Sequence, residues 1–294
     1  MHIVVCIKQV PDSAQIRVHP VTNTIMRQGV PAIINPYDLF AIEAALALKD
    51  QLGGKVTVLT MGPPQAEPAL RKALSYGCDE AVLVTDKLFA GADTLATSYV
   101  LASAIKTLHQ ETPVDLVFTG KQTIDGDTAQ VGPGIAKRLE LELLTYVSRI
   151  VSVDQAASSI RVERRAEGGV QVLETRLPAL ITMLEGSNEI RFGSAPDMFR
   201  AARAEVRVWD RNAAGIEDIK KVGLKGSPTI VSRVFVPSPR AQKALQIEFD
   251  AANPEAATQT LLDRVLVEIP KVKKQLDQTR DNKRASRSAG ERHE

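Results

Sequence analysis

The chemistry-bearing segment of this chain is Gly120-Lys121-Gln122-Thr123-Ile124-Asp125-Gly126-Asp127-Thr128-Ala129-Gln130-Val131-Gly132. Glycines alternate there with amides, hydroxyls and carboxylates, and the segment runs into an apolar stripe, Val131, Ile135 and Leu139, at i, i+4 and i+8. That pattern suits a helix start whose unpaired backbone amides meet a phosphate without a basic side chain. Asp127 or Thr128 is placed to cap the helix, and Gly120 and Gly126 let a ligand approach the backbone. The same residues also read as a plain turn and cap. Three other segments could face this loop: Lys8-Gln9-Val10-Pro11-Asp12, Asn35-Pro36-Tyr37-Asp38 and Met61-Gly62-Pro63-Pro64. Asn35 followed by Pro36 has the order of a helix N-cap and first helical position. Lys8 is either a phosphate partner or a solvated lysine.

Absent patterns narrow the chemistry. No GxGxxG opens a helix and no GxxxxGK[ST] occurs. His2, His19, His109 and His293 are scattered, and no nucleophile–base pair stands out. Cys6 and Cys78 form no CxxC, so no metal or cluster site is expected, despite the acidic Asp125 and Asp127. The chain reads as a holder for a cofactor that carries the chemistry itself. A net charge of +2 gives no argument for nucleic acid or a membrane surface. No apolar run approaches the ~18 residues of a membrane span. Met1 to Val5 starts as a strand without the pattern of a signal peptide, so a cytoplasmic, reducing location is expected.

The elements that must position these segments alternate. Apolar runs at 3–7, 55–61, 81–84 and 115–119 read as strands, separated by helical stretches at about 36–52, 64–77, 93–109 and 128–139. Alternation of this kind predicts an α/β fold, a doubly wound parallel sheet of adenine-nucleotide-binding type. With aromatics at 4%, its core must be Val, Ile, Leu and Ala. If the first and fourth strands are neighbours, the loops after both line one crevice at the switch point. Residues 15–28 read as a hairpin, and 145–184 as consecutive strands with a turn at Glu167-Gly168-Gly169, an antiparallel hairpin region after the sheet. Residues 1–222 form the expected nucleotide-binding domain. Residues 223–281 read as an extended arm plus an amphipathic helix over 254–277, and 282–294 as a disordered tail.

The stretch Val162-Glu163-Arg164-Arg165-Ala166-Glu167-Gly168-Gly169-Val170-Gln171-Val172-Leu173, with Pro178-Ala179-Leu180-Ile181-Thr182, resembles the signature of the beta subunit of electron-transfer flavoproteins. The resemblance covers residues 1 to about 210. It implies a heterodimer with an alpha subunit that carries one FAD. In the housekeeping branch the beta subunit holds a structural AMP. In the electron-bifurcating branch it holds its own FAD, which takes a hydride from NADH. One electron then goes to ferredoxin or flavodoxin, the other through the alpha FAD to an acyl-CoA dehydrogenase or similar flavoenzyme. Val10-Pro11-Asp12-Ser13, Ala90-Gly91-Ala92-Asp93-Thr94 and Asp125 to Pro133 resemble the bifurcating versions, with Gly126 where the other branch tends to carry an acidic residue. The implied nucleotide contacts are Cys6, Asn35, Pro36, Tyr37, Asp38, Met61, Asp93, Thr94 and every residue from Lys121 to Gly132. The resemblance further implies a partner-docking loop at Arg191 to Phe199. There Ala195 replaces a frequent leucine anchor, leaving Met198 or Phe199 as anchors or, the favoured reading, as core residues of a following helix.

Overall fold

The computed structural model describes residues 1–12, 17–18, 25–26, 31–229, 246–247, 249 and 251–290. In chain order the strands and helices begin with β1 (His2–Cys6), β2 (Gln9–Pro11), β3 (Arg17–Val18), β4 (Ile25–Met26) and β5 (Ala32–Ile34). There follow α1 (Pro36–Leu52), β6 (Lys55–Met61), α2 (Glu67–Tyr76), β7 (Glu80–Val84), α3 (Thr94–Glu111), β8 (Leu116–Gly120) and α4 (Val131–Leu139). Next come β9 (Glu142–Asp154), β10 (Ser159–Ala166), β11 (Gly169–Arg176), β12 (Ala179–Met183), α5 (Ala195–Arg203) and β13 (Arg207–Trp209). Last are α6 (Pro254–Glu268) and α7 (Pro270–Gly290).

One sheet carries the architecture, in the order β11-β10-β9-β12-β8-β1-β6-β7-β13. From β9 to β13 all neighbours are parallel. β1 lies between β6 and β8, with Ile3 opposite Val56 on one side and Leu116 on the other. The chain winds from β1 outward through β6 and β7, then crosses back to place β8 on the other side of β1. This is the doubly wound sheet, with its switch point between β1 and β8.

Alternate residues of each strand enter opposite cores. Ile3 and Val5 join α1, α2 and α5 in one; Val4 and Cys6 join α3 and α4 in the other. Burial on both faces explains why the strands are unbroken apolar runs. Each fully buried Ile, Leu or Phe contributes about 1.5–3 kcal/mol.

The antiparallel region expected after α4 is present and joins the main sheet. β9, β10 and β11 pair antiparallel and extend the same sheet, and β12 returns between β9 and β8, parallel to both. β13, absent from the sequence reading, pairs with β7 at the far edge and buries Trp209. β3 and β4 pair antiparallel where the hairpin was expected; the remainder of 15–28 lies outside the described residues.

The chain divides into two compact units, Met1–Val236 and Pro237–Glu294. Gly223–Gly226 is a tight helical turn within the first unit, and Ser227 and Thr229 hydrogen-bond to Asp93. The single helix expected at 254–277 is two, because Pro270 cannot continue α6 and instead starts α7. α7 also takes in 282–290, read from sequence as disordered. Among the described residues no helix is long and apolar enough to cross a membrane.

Candidate functional site

The site forms where the sheet parts. β1 and β8 pair as far as Cys6 and Thr119. Beyond that, Ile7 donates to Leu59 of β6 at 2.9 Å, while Gly120 follows β12. The carboxyl of Asp38, in the first turn of α1, fills the gap between them. Its Oδ2 accepts from Lys8 N at 2.7 Å and its Oδ1 from Gly120 N at 3.1 Å. Gly120 makes this approach possible: a Cβ there would stand 2.5 Å from Asp38 Oδ1 and 2.7 Å from the carbonyl carbon of Tyr37. Burial pushes the Asp38 carboxyl up to about 7, against the lowering effect of Lys8 N, the Asn35 side chain and Gly120 N. The same burial pushes the Cys6 thiol up, so it stays protonated and contributes shape rather than a thiolate.

Asn35 stands at the N-cap position of α1 but makes no side-chain cap. Its own carbonyl takes the Asp38 amide at 2.9 Å, which releases the side chain for another task. Asn35 Nδ2 donates to Gln122 O at 2.8 Å and Oδ1 accepts from Ile124 N at 3.2 Å, clipping the loop to α1. Lys8 adds a second clip, its Nζ lying 2.8 Å from Asp125. Asp125 stays below the ordinary carboxylate range, because hydrogen bonds from Lys8 and Thr123 outweigh the upward push of burial. Lys121 Nζ lies 4.9 Å over the Tyr37 ring and 3.4 Å from Glu185.

Neither Asp127 nor Thr128 caps α4. The N-cap is Gln130, without a side-chain bond, and Asp127 instead accepts from Gln122 Nε2 at 2.8 Å. The backbone explains the shift: Asp127 and Ala129 have φ of 50° and 54°, left-handed values that delay the helix to Val131. Such residues cost about 1–3 kcal/mol each and concentrate at functional sites. The first amides of α4 thus meet the cleft with no side-chain cap. Across from them Asp93 caps α3, accepting from Ala96 N at 3.0 Å and from the Thr229 hydroxyl at 2.8 Å. Thr94 Oγ1 donates to Gln130 Oε1 at 2.8 Å, joining the two helix starts.

Cys6, Asp38, Met61, Asp93, Thr94, Lys121, Gln122, Thr123, Gly126, Thr128, Ala129, Gln130, Val131 and Gly132 border one cleft of about 320 Å³. Asn35, Pro36, Tyr37, Ile124, Asp125 and Asp127 do not border it; of these Asn35, Tyr37, Asp125 and Asp127 brace Gln122, Lys121 and Lys8, which do. Ile7, Ala92, Thr97, Leu101 and Thr119 border it and were not singled out from the sequence. Thr94, Thr97 and Leu101 fall at i, i+3 and i+7 on α3, so helical spacing from the Asp93 cap was the available signal. Among the described residues no group of His, Cys, Asp and Glu is arranged to hold a metal.

In the docking-loop region α5 starts at Ala195, with Ser194 as its cap. Met198 and Phe199 are exposed, at 49% and 66%, and Phe192 is 95% exposed. This corrects the reading of Met198 and Phe199 as core: α5 is held instead by buried Ala201 and by Arg200, which donates to Cys78 O and Leu74 O.

Residues 22–214 match the electron transfer flavoprotein domain family. Protein FixA of Azotobacter vinelandii is 66% identical over 276 residues, 94% of this chain and 98% of that protein. Protein FixA of Azorhizobium caulinodans is 70% identical over 258 residues, covering 87% and 92%. The electron transfer flavoprotein subunit beta of Clostridium acetobutylicum is 49% identical over 233 residues, covering 79% and 87%.

Proposed function

We propose, for a chain that belongs to the electron transfer flavoprotein family on its beta-subunit side, that the cleft holds FAD and that the subunit serves electron bifurcation in a heterodimer with an alpha subunit. When bound, the flavin would supply the redox chemistry, with NADH as hydride donor and, as electron acceptors, ferredoxin or flavodoxin and, by way of the alpha subunit's FAD, an acyl-CoA dehydrogenase or similar flavoenzyme. This chain's residues bind and orient.

The observation that carries the reading is that two helix starts border one cleft. Val131 and Gly132 of α4 face Thr94 and Thr97 of α3 across it. An uncapped helix start suits phosphate, and a second polar wall suits a dinucleotide longer than one phosphate and one nucleoside. The residues fit the group. Gly132 lies so close to the sheet that a Cβ would come within 2.9 Å of Thr119 Oγ1. Gly126 borders the same cleft, and a Cβ there would meet only Thr123 Oγ1, at 3.5 Å. Thr94, Thr128, Gln130 and the α4 amides would hold phosphate, and Cys6, Asp38 and Met61 would floor the rest.

One observation favours the housekeeping alternative, with structural AMP and single-electron shuttling. The cleft volume of about 320 Å³ lies at the small end of the roughly 300–1,000 Å³ range of ligand sites, which suits a mononucleotide. Purifying the heterodimer, denaturing it and counting the released nucleotides decides between the two. Two FAD per heterodimer support bifurcation; one FAD with one AMP refutes it.

Phe192, Met198 and Phe199 give the dehydrogenase an apolar docking patch on this reading, in place of the leucine that Ala195 lacks. On the same reading α6 offers the alpha subunit exposed Leu261, Leu262 and Val267; residues 230–245 of the expected arm lie outside the described residues. The assembly works in the cytoplasm.

A further inference from the structure

We infer that Asp38 is a positioning residue for the nucleotide: its carboxyl replaces the ladder bonds that β1 and β8 lose where they part, and so fixes the spacing of the strand ends that floor the cleft. The inference rests on the nucleotide reading of the cleft and adds a named residue to it.

Two parallel strands that diverge leave backbone amides unpaired at the point of divergence. In a buried place each such amide needs an acceptor. Lys8 N and Gly120 N are those amides here, and one carboxyl takes both, at 2.7 and 3.1 Å. A carboxylate is the side chain suited to this, since both its oxygens accept and neither donates. Asp38 sits on α1, which packs against both strands, so the staple joins three elements at one point. The start of α1 favours an anion there. The staple also governs the loop: Gly120 leads directly into Lys121, and Asn35, one turn before Asp38, holds Gln122 and Ile124.

The charged and titratable groups around Asp38 are few and mostly engaged. Lys8 directs its ammonium to Asp125. Lys121 lies between the Tyr37 ring and Glu185. The Cys6 thiol, on the floor of the cleft, stays protonated. With the Asp38 carboxyl pushed up to about 7 by burial, its charge changes near neutral pH. Protonation turns one oxygen into a donor, and one of the two strand ends then loses its acceptor.

The test uses the full heterodimer depleted of flavin, with Asp38→Asn and Asp38→Ala. Hydrogen exchange at Lys8 and Gly120, corrected for intrinsic rates, is followed from pH 6 to 8.5 without ligand. FAD and AMP are then titrated over the same range. In the wild type both amides are protected at pH 8.5 and one loses protection as pH falls through about 7; FAD affinity falls with it. In Asp38→Asn one amide exchanges fast at every pH, FAD binds about tenfold more weakly at pH 8.5, and the pH dependence flattens. Wild-type protection in Asp38→Asn, or a uniform loss of FAD affinity with the pH profile intact, overturns the inference. If Asp38→Ala does not fold, the isosteric Asp38→Asn decides alone. If the wild type binds neither FAD nor AMP, the nucleotide reading has failed, while the exchange data still judge the staple.

Discussion

Adding one methyl group at Gly120 separates the two glycines of the site. In Gly120→Ala the new Cβ would stand 2.5 Å from Asp38 Oδ1 and 2.7 Å from both the carbonyl carbon and Cβ of Tyr37. The carbonyl carbon belongs to the backbone of α1's first turn and cannot swing away, so either α1 or β8 must shift. Overpacking of this kind costs about 1–3 kcal/mol. If Asp38 moves instead, a buried amide at Gly120 or Lys8 loses its acceptor, at about 1–3 kcal/mol. Against this, removing a glycine restricts the unfolded chain and returns about 0.4–1 kcal/mol. By either route the expected net loss is about 1–2 kcal/mol. Gly126→Ala is the control: its Cβ would meet Thr123 Oγ1 at 3.5 Å, an ordinary contact, so stability should hold or rise, by at most about 1 kcal/mol. Urea unfolding of both variants in the heterodimer, at one protein concentration and with saturating nucleotide, gives the comparison. The reasoning fails if Gly120→Ala is as stable as the wild type, or if Gly126→Ala loses as much as Gly120→Ala.

Other residues give equally direct tests. Asn35→Ala leaves Gln122 O and Ile124 N without their partner; about 1–3 kcal/mol should be lost, with faster amide exchange at 121–127 and weaker nucleotide retention, and an unchanged loop would count against the clip. His2 is buried, its Nδ1 3.1 Å from Thr112 O and its Nε2 2.9 Å from Thr57 Oγ1; a carbonyl only accepts, so Nδ1 carries the proton and Nε2 accepts from Thr57. Burial pushes its pKa below the ordinary 6.5, so the folded protein prefers neutral His2. Its contribution is fully present above pH 6.5 and declines as pH falls from there toward the folded pKa, with a slope of at most about 1.4 kcal/mol per pH unit. Unfolding midpoints from pH 7.5 to 5 in wild type and His2→Gln should converge at low pH, and parallel curves would contradict it.

Much of this was legible in the residues because the signals were local. The apolar runs of β1, β6, β7 and β8, split by Ala- and Leu-rich helices, define a parallel sheet wherever they occur. The loop from Lys121 to Gly132 announced itself through glycines and short polar side chains. Non-local pairings were hidden. Nothing local in Ala179–Met183 tells that β12 returns between β9 and β8, and three residues at Arg207–Trp209 are too short to show a period. The helix caps misled for a related reason. Asn35 and Asp127 have cap-forming identities, yet Asn35 gives its side chain to the loop at Gln122 and Ile124, and Asp127 gives its own to Gln122 within that loop, a choice that depends on the assembled fold. Met198 and Phe199 misled in the opposite sense, since apolar side chains on a helix imply a core only when the helix turns that face inward.

A cleft bordered or braced by Asp38, Asp93, Asp125 and Asp127 is at first sight a poor place for an anionic nucleotide. Geometry resolves the conflict. Each carboxyl is already committed: Asp125 to the Lys8 ammonium, Asp127 to Gln122, Asp93 to Ala96 N and the Thr229 hydroxyl, and Asp38 to two strand-end amides. Their charges are spent on shaping the loop and fixing the helix starts. On the proposed nucleotide reading, phosphate would be met by backbone amides and neutral side chains, whose dipoles fall off quickly and act only on a ligand seated in the cleft. The acidic residues are the scaffold of the site, and backbone geometry is its binding surface. A site built that way carries no strong sequence motif, because what would touch the ligand on this reading is mostly main chain.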